Sequence, residues 1–255
     1  VYARTNEFAT DLKTKIVFIP RGVRFQGSLP NGAKGISYRT KYAMMGMGVF
    51  DLPNLLDGIN EEGLGFGALF FPGYAAYSEF NPDNVTKDLA SWEFGSWVLG
   101  NFASVDQVEA ALADIKIVDT PFAELGNTTL PLHYFVFDKT GKSIVIEPIK
   151  GKLKVYTNPT GAMANSPSFD WHLTNLNNYV NLSSTNASNH KLSGIELKPI
   201  SQGSGMVGLS GDFTSPSRFV RISLLSQFAS QVKTAQEGVT LAWNIINNIN
   251  IPKGA

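Results

Sequence analysis

The sequence contains no cysteine, which excludes disulfides, thiolate metal sites and a thiol nucleophile among these residues. Histidine is scarce: His133, His172 and His190 are scattered without metal-type spacing, so neither a zinc site nor a metal cofactor is expected. Long apolar runs are missing as well. None reaches the roughly 18 residues of a membrane helix, and membrane insertion is not expected. Net charge is also lacking, because 21 basic and 21 acidic residues cancel. No overall field would draw the molecule to nucleic acid or to an anionic surface, so a nucleic-acid partner is not expected. A starting Met is absent too: the chain opens "VYARTNEF", and Val1 to Ala3 read as the tail of a strand already under way. An upstream signal peptide remains open, and with it the compartment.

What is present describes a compact globule. Across 255 residues, 43% are hydrophobic and only 16% charged, which places the chain outside the disordered class. Ile16 to Ile19 is a short apolar run closed by Pro20-Arg21-Gly22, read as a strand, and Tyr42 to Val49 is a second candidate. Residues 55–71 combine an apolar start, the turn-prone Asn60-Glu61-Glu62-Gly63 and an alternating apolar and Gly continuation, the pattern of a hairpin. Helical spacing predicts a helix over Asp88 to Phe102 and a second one after the cap residue Ser104. Residues 132–158 give three strands joined by turns at 138–141 and 150–151, connections short enough to force antiparallel pairing. Amphipathic segments follow at 169–179, 217–232 and 239–249, with a polar, Gly-rich stretch at 181–214 between the first two. A single α+β domain over 1–255, helices packed on antiparallel sheets, accounts for this order.

Several familiar signals lead nowhere. Gly203, Gly205 and Gly208 match a dinucleotide fingerprint in letters, but no strand precedes them and no helix opens at the third glycine. No cofactor is expected there. His133 falls in a strand and reads as packed and hydrogen-bonded, and no G-x-S-x-G elbow exists. Polar islands in apolar surroundings remain. Arg4 and Glu7 end a strand, Asn165 sits where a strand turns into a helix, and Arg218 lies in the first turn of a helix, where a cation opposes the macrodipole. Taken singly, each is more simply an ion pair, a turn residue or a structural contact.

Taken in order, "ARTNEF", "LDGINEEGL", "FFPGYAAY", "LGNFASVDQVEAAL", "LPLHYF", "GKSIVIEP", "MANSPSFDWHLTNL", "GLSGDFTSPSRFVR" and "NIPKG" resemble the choloylglycine hydrolase family, which includes bile salt hydrolases and penicillin V acylases. The resemblance runs the length of the chain. It implies a four-layer αββα sandwich of the N-terminal nucleophile hydrolase type and an amidase acting on linear N-acyl amides through a terminal Cys. That Cys would stand on a strand preceding Val1, and further strands would follow "NIPKG", so the fold is expected to be truncated at both ends and these residues alone are not expected to turn over. A thiol at a chain terminus can use its own α-amino group, of pKa about 7.7 to 8.0, as general base, so no His is required.

The resemblance also assigns roles. Arg4 would lie beside the sulfur and favour thiolate, and Glu7 would hold the terminal amine in place of the family's shorter Asp. The Asn165 side-chain amide and the Phe70 main-chain N–H would face the oxyanion. Arg218 would be the second Arg of the site. Loops around 22–38, 50–56 and 71–80 would shape an acyl pocket with Phe50, Leu52, Leu55, Phe71 and Tyr74, unless these merely pack its rim. The 181–214 excursion matches the segment through which members associate as homotetramers. The alternative is a non-catalytic relative that binds acyl amides through a decayed site, as the departures at Glu7 and Phe70 would suit.

Overall fold

The structure, a computed structural model, describes residues 1–252. The chain divides into two compact units, one comprising Phe8–Phe169 and the other Val1–Glu7 with Asp170–Ala255. The end of the "NIPKG" motif, Lys253 and Gly254, lies outside the described residues.

The first unit begins with β1 (Lys15–Ile19), β2 (Arg24–Ser28), β3 (Lys34–Arg39), β4 (Met44–Gly48), β5 (Leu55–Asn60), β6 (Gly65–Phe70) and β7 (Asp88–Ala90). It continues with α1 (Phe94–Asn101), α2 (Val105–Ala111), β8 (Lys116–Val118), β9 (Pro121–Phe122), β10 (Thr128–Thr129), β11 (Leu132–Phe137), β12 (Ser143–Ile149) and β13 (Lys152–Thr157). One seven-stranded antiparallel sheet, in the order β1-β4-β5-β6-β11-β12-β13, is its frame. Alternation along each strand sorts side chains to two faces. Met44, Leu55, Phe66, Tyr134, Val136, Ile144 and Ile146 face the buried core with α1 and α2. On the opposite face of β1, β4 and β5, Ile16, Phe18, Met45 and Ile59 are exposed.

The turns obey their residues. The β5–β6 connection closes with Gly63 at φ 83°, and the buried Asn60 side chain holds it to the helix layer, donating to Leu99 O (2.8 Å) and Phe102 O (2.7 Å). The β12–β13 turn puts Lys150 and Gly151 both at positive φ, as a two-residue hairpin of matching twist requires. Helix α1 approaches the sheet closely at Gly95, where a Cβ would stand 2.2 Å from the Leu55 carbonyl oxygen. Ser104 caps α2, its Oγ accepting from Gln107 N–H.

Two expectations are corrected. The helix predicted over 88–102 begins only at Phe94: Asp88–Ala90 is a buried strand paired in parallel with β8, followed by a 3-10 turn at Ser91–Glu93. Apolar spacing cannot separate a short buried strand from a buried helical turn, and Glu93, accepting from Ser28 N–H (2.8 Å) and Ala90 N–H (3.0 Å), fixes the switch. The 22–38 segment is a hairpin, β2 with β3, rather than a loop.

Helix α3 (Phe169–Asn175), of which all but Phe169 belongs to the second unit, leads into a 3-10 turn, and β14 (His190–Leu192) and β15 (Ile195–Leu197) form an exposed hairpin within the polar excursion. Two longer helices follow, α4 (Ser215–Phe228) and α5 (Ala235–Ile246). Gly203 and Gly208 serve as positive-φ turn residues around a single 3-10 turn, with neither the strand nor the helix of a nucleotide site. No helix among the described residues is long and apolar enough to cross a membrane.

Candidate active site

Within the first unit, the chain end of β6 and the loop after β13 meet. Asn165 Nδ2 donates to Phe70 O at 2.8 Å, and Ser166 Oγ donates to Pro72 O at 3.0 Å. Strand geometry then places the Phe70 N–H. Phe71 N–H bonds Pro131 O (2.7 Å), which makes 71 and 131 a hydrogen-bonded antiparallel pair and turns both backbone groups of Phe70 away from β11. On that side the ladder with β5 has already ended at Asp57 and Gly67. The Phe70 N–H therefore points along the same edge as the carbonyl that Asn165 grips.

The loop that presents Asn165 is built by another Asn. Buried Asn158 accepts from Thr160 N–H (3.0 Å) and Gly161 N–H (3.0 Å) and donates to Ala162 O (2.9 Å). Its own N–H bonds Ser143 O (2.9 Å) on β12. The sequence held a signal for this in Asn158-Pro159-Thr160-Gly161, an Asx-type turn, but a turn motif does not announce what it carries. At the far end of the loop, Phe169 N–H donates to Glu147 Oε1 (2.9 Å), so both ends are tied to β12.

The predicted apolar residues separate into two groups. Leu55 and Phe71 are fully buried, the latter stacked between His133 (4.1 Å) and Tyr74 (5.3 Å), while Tyr74 is exposed. Phe50 is half-buried against Phe122 at 5.8 Å, with both it and Asp51 in the left-handed region. Leu52 lines a hollow of about 400 Å³ closed by Phe25, Tyr38, Trp92 and Phe122. Two of the segments expected to shape a pocket, 22–38 and 50–56, thus converge on one cavity, whereas Phe70, Phe71, Tyr74 and Asn165 are not among its lining. Burial around the hollow holds the Tyr38 hydroxyl well above its ordinary range and raises the Glu93 carboxyl.

Three predicted residues belong to the second unit. Arg4 is half-buried, with Nε donating to Thr5 O (3.2 Å). Glu7 Oε1 accepts from Ile251 N–H at 3.3 Å, and the charge of Glu7 acts on Arg218. Burial lowers the Arg218 pKa, Arg221 adds to the effect and Glu7 opposes it; a guanidinium nonetheless stays charged at any working pH. Its Nε donates to Phe213 O (3.1 Å). Asp212 organises the turn below it, accepting from Ser217 Oγ (2.6 Å) and from Thr214 N–H (2.9 Å) and Oγ1 (2.6 Å). Those bonds, the Ser217 hydroxyl foremost, hold its carboxyl at about 2. Arg221, unremarked in the sequence, is buried and satisfied by three carbonyls, Ser210 (2.7 Å), Asp212 (2.8 Å) and Asn248 (2.9 Å). No group of three or more metal-ligating side chains occurs among the described residues.

The geometry can be set beside known proteins. A family model described as linear amide C–N hydrolases, choloylglycine hydrolase family, matches residues 1–255. A bile salt hydrolase/transferase of Clostridium perfringens is 39% identical over 260 residues, covering all of this chain and 76% of that protein. Another from Lactiplantibacillus plantarum is 37% identical over 215 residues, 84% of this chain and 65% of its own. A penicillin V acylase of Pectobacterium atrosepticum is 28% identical and covers all of this chain and 66% of its own length. Among solved structures, a variant of the conjugated bile acid hydrolase from Clostridium perfringens superposes with a TM-score of 0.81 at 38% identity, over 98% of this chain and 74% of that one. Penicillin V acylase from Agrobacterium tumefaciens shares the fold, with a TM-score of 0.79 at 23% identity, over 98% of this chain and 68% of its own.

Proposed function

Because the chain belongs to the choloylglycine hydrolase family of linear amide C–N hydrolases, we propose that its substrates are conjugated bile salts and that the nucleophile is a Cys outside residues 1–255. The relatives named for bile salts stand at 31–39% identity and the acylase at 28%, which favours the steroid conjugates over penicillin V. The observation that carries the reading is the meeting of Asn165 with Phe70, 95 residues apart in sequence, at one strand edge. A primary amide has two N–H donors. Anchoring its plane on the Phe70 carbonyl sets it beside the Phe70 N–H, and the pair forms a two-donor site for the oxyanion of a tetrahedral intermediate.

The remaining steps follow from elementary acid–base chemistry. The terminal amine takes the thiol proton, the thiolate attacks the amide carbon, and the amine or taurine group leaves with that proton, giving a thioester that water then hydrolyses. Arg4 favours the thiolate, Glu7 orients the amine, and Arg218, charged and half-buried near Glu7, serves an anionic group of the substrate. The apolar acyl group is taken up by Phe50, Leu52, Leu55, Phe71 and Tyr74, of which Leu52 borders a hollow and Leu55 and Phe71 are buried in the core outside its lining. The hairpin β14–β15, with Leu192 and Ile195 more than half exposed at 56% and 65%, is the assembly surface of a homotetramer.

The test is release of glycine or taurine from glycocholate and taurocholate, against release of phenoxyacetate from penicillin V, by the protein bearing its terminal Cys. Faster turnover of the bile salts is expected. Equal or slower turnover would overturn the substrate, and a protein whose mature terminus is Ala or Ser and binds conjugates without cleaving them would overturn the mechanism.

A further inference from the structure

Among the ionisable side chains buried in the first unit, His133 and Glu147 form a pair that has no place in the chemistry above. His133 is 1% exposed and Glu147 0%. They stand opposite each other in the register of β11 and β12, as 134 opposite 146 requires, and His133 Nδ1 lies 3.2 Å from Glu147 Oε1. The same oxygen accepts the Phe169 N–H at 2.9 Å. With Nδ1 as the donor, this one oxygen accepts from both the ring and the Phe169 main chain. Burial, the largest influence, pulls the His133 pKa down, with Glu147 and the Ala164 main chain opposing. Removing either partner would strand the other, a costly arrangement that a pair of apolar side chains would avoid.

What the pair touches suggests why it is there. The imidazole lies flat on Phe71, centroids 4.1 Å apart and planes within 8°. Phe71 is the residue between Phe70, whose carbonyl takes Asn165, and Pro72, whose carbonyl takes Ser166. On its other side the pair holds Phe169, where the loop bearing Asn165 ends. The main chain of Ala164, next to Asn165, also acts on the imidazole, raising its pKa, while Nε2 is buried without a hydrogen-bond partner. Both segments that would supply oxyanion donors, 70–72 and 164–169, therefore rest on one buried imidazole–carboxylate pair.

We propose that His133 and Glu147 are positioning residues for the oxyanion site: Glu147 fixes the loop of Asn165 through Phe169, His133 fixes the strand end of Phe70 through Phe71, and their mutual bond sets the separation of the two donors. The inference rests on the oxyanion reading of Asn165 and Phe70. Oxyanion donors act over tenths of an ångström, and displacing one segment by a fraction of a bond length weakens stabilisation of the transition state more than binding of the ground state.

The experiment uses the protein with its terminal Cys, and variants His133→Leu, His133→Asn and Glu147→Gln. His133→Asn can place an amide N–H near the former Nδ1, whereas His133→Leu removes the donor and leaves Glu147 unmatched. The expected result is a fall in kcat of about tenfold for His133→Leu with KM within about twofold, and recovery to within about threefold of wild type for His133→Asn. Affinity for a bile acid aldehyde, which forms a tetrahedral adduct with the thiol, should fall in parallel with kcat, while affinity for the free bile acid holds. Loss of thermal stability with unchanged kcat per titrated active site would show a purely structural pair and overturn the proposal, as would equal losses for aldehyde and free acid. Glu147→Gln, nearly isosteric, keeps an oxygen that can accept from both Phe169 N–H and His133 Nδ1 and guards against a His133 variant that fails to fold; aldehyde affinity within about threefold of wild type is expected in it, and a loss as large as that of His133→Leu would overturn the proposal. A wild-type protein that neither cleaves conjugates nor binds the aldehyde would instead remove the oxyanion reading itself.

Discussion

At the scale of single residues, the amide of Asn165 is the group on which the proposed chemistry turns. Its Nδ2 reaches Phe70 O across 95 positions of sequence. Replacing it with Ala removes one oxyanion donor, and kcat for a conjugated bile salt should fall about 10² to 10³-fold. Stopped assays with the terminal Cys titrated would measure the loss per active site; a drop of less than threefold would deny Asn165 that role. Asn165 stood out in the sequence because Ser166-Pro167 after it marked a helix start, and the structure sets that boundary at Phe169. Glu147 did not stand out. A carboxylate inside an apolar strand looks like an edge residue until the partner strand and the N–H of Phe169 are in place, and neither is adjacent in sequence.

At the scale of elements, glycine and the helix caps decide more than propensity does. Gly95 sits inside α1, where Ala would ordinarily stabilise a helix by about 1 kcal/mol. A Cβ there would meet the Leu55 carbonyl at 2.2 Å and the Phe66 ring at 2.6 Å, and a rigid strand oxygen cannot yield as a flexible side chain would. Overpacking of this kind costs about 1 to 3 kcal/mol, so Gly95→Ala should lower the urea midpoint. The start of α4 gives a pH dependence. The Asp212 carboxyl is held at about 2 by its hydroxyl and N–H donors, below the ordinary carboxylate range near 4. A depressed folded-state pKa means that the unfolded chain binds more protons between about pH 2 and 4. The stabilisation is therefore complete above the unfolded value and lost as pH falls towards 2. Glu61, held at about 2 chiefly by Arg21, acts in the same direction. Denaturant midpoints from pH 5.5 to 2.5 should fall for the wild type, and Asp212→Asn should flatten that dependence while lowering the plateau. Elements with their own periodicity or turn chemistry, such as β11–β13 and α2, were legible; the β7–β8 pair was not, because three-residue strands carry too few positions to show a period.

At the scale of the whole molecule, the described residues offer one exposed apolar hairpin in the excursion. Leu192→Asp with Ile195→Asp places two carboxylates where a partner would bury alkyl groups. If the excursion assembles the homotetramer, sedimentation velocity should move from tetramer to smaller species for this double variant, with secondary structure unchanged; a variant still tetrameric would place assembly elsewhere. By itself, the sequence determined the alternation of strands, the helix after Ser104, the amphipathic segments at 217–232 and 239–249, found as helices at Ser215–Phe228 and Ala235–Ile246, and the ordered motifs that identify the reaction class, because period, turn residues and motif order are local properties. Only the tertiary structure decided that Phe70 and Asn165 share an edge, that Leu55 and Phe71 are fully buried rather than surface, and that His133 and Glu147 pack against the segments that carry Phe71 and Phe169. Those are facts about which segments become neighbours when the sheet closes its register, and a register joins residues whose separation along the chain carries no trace of their distance in space.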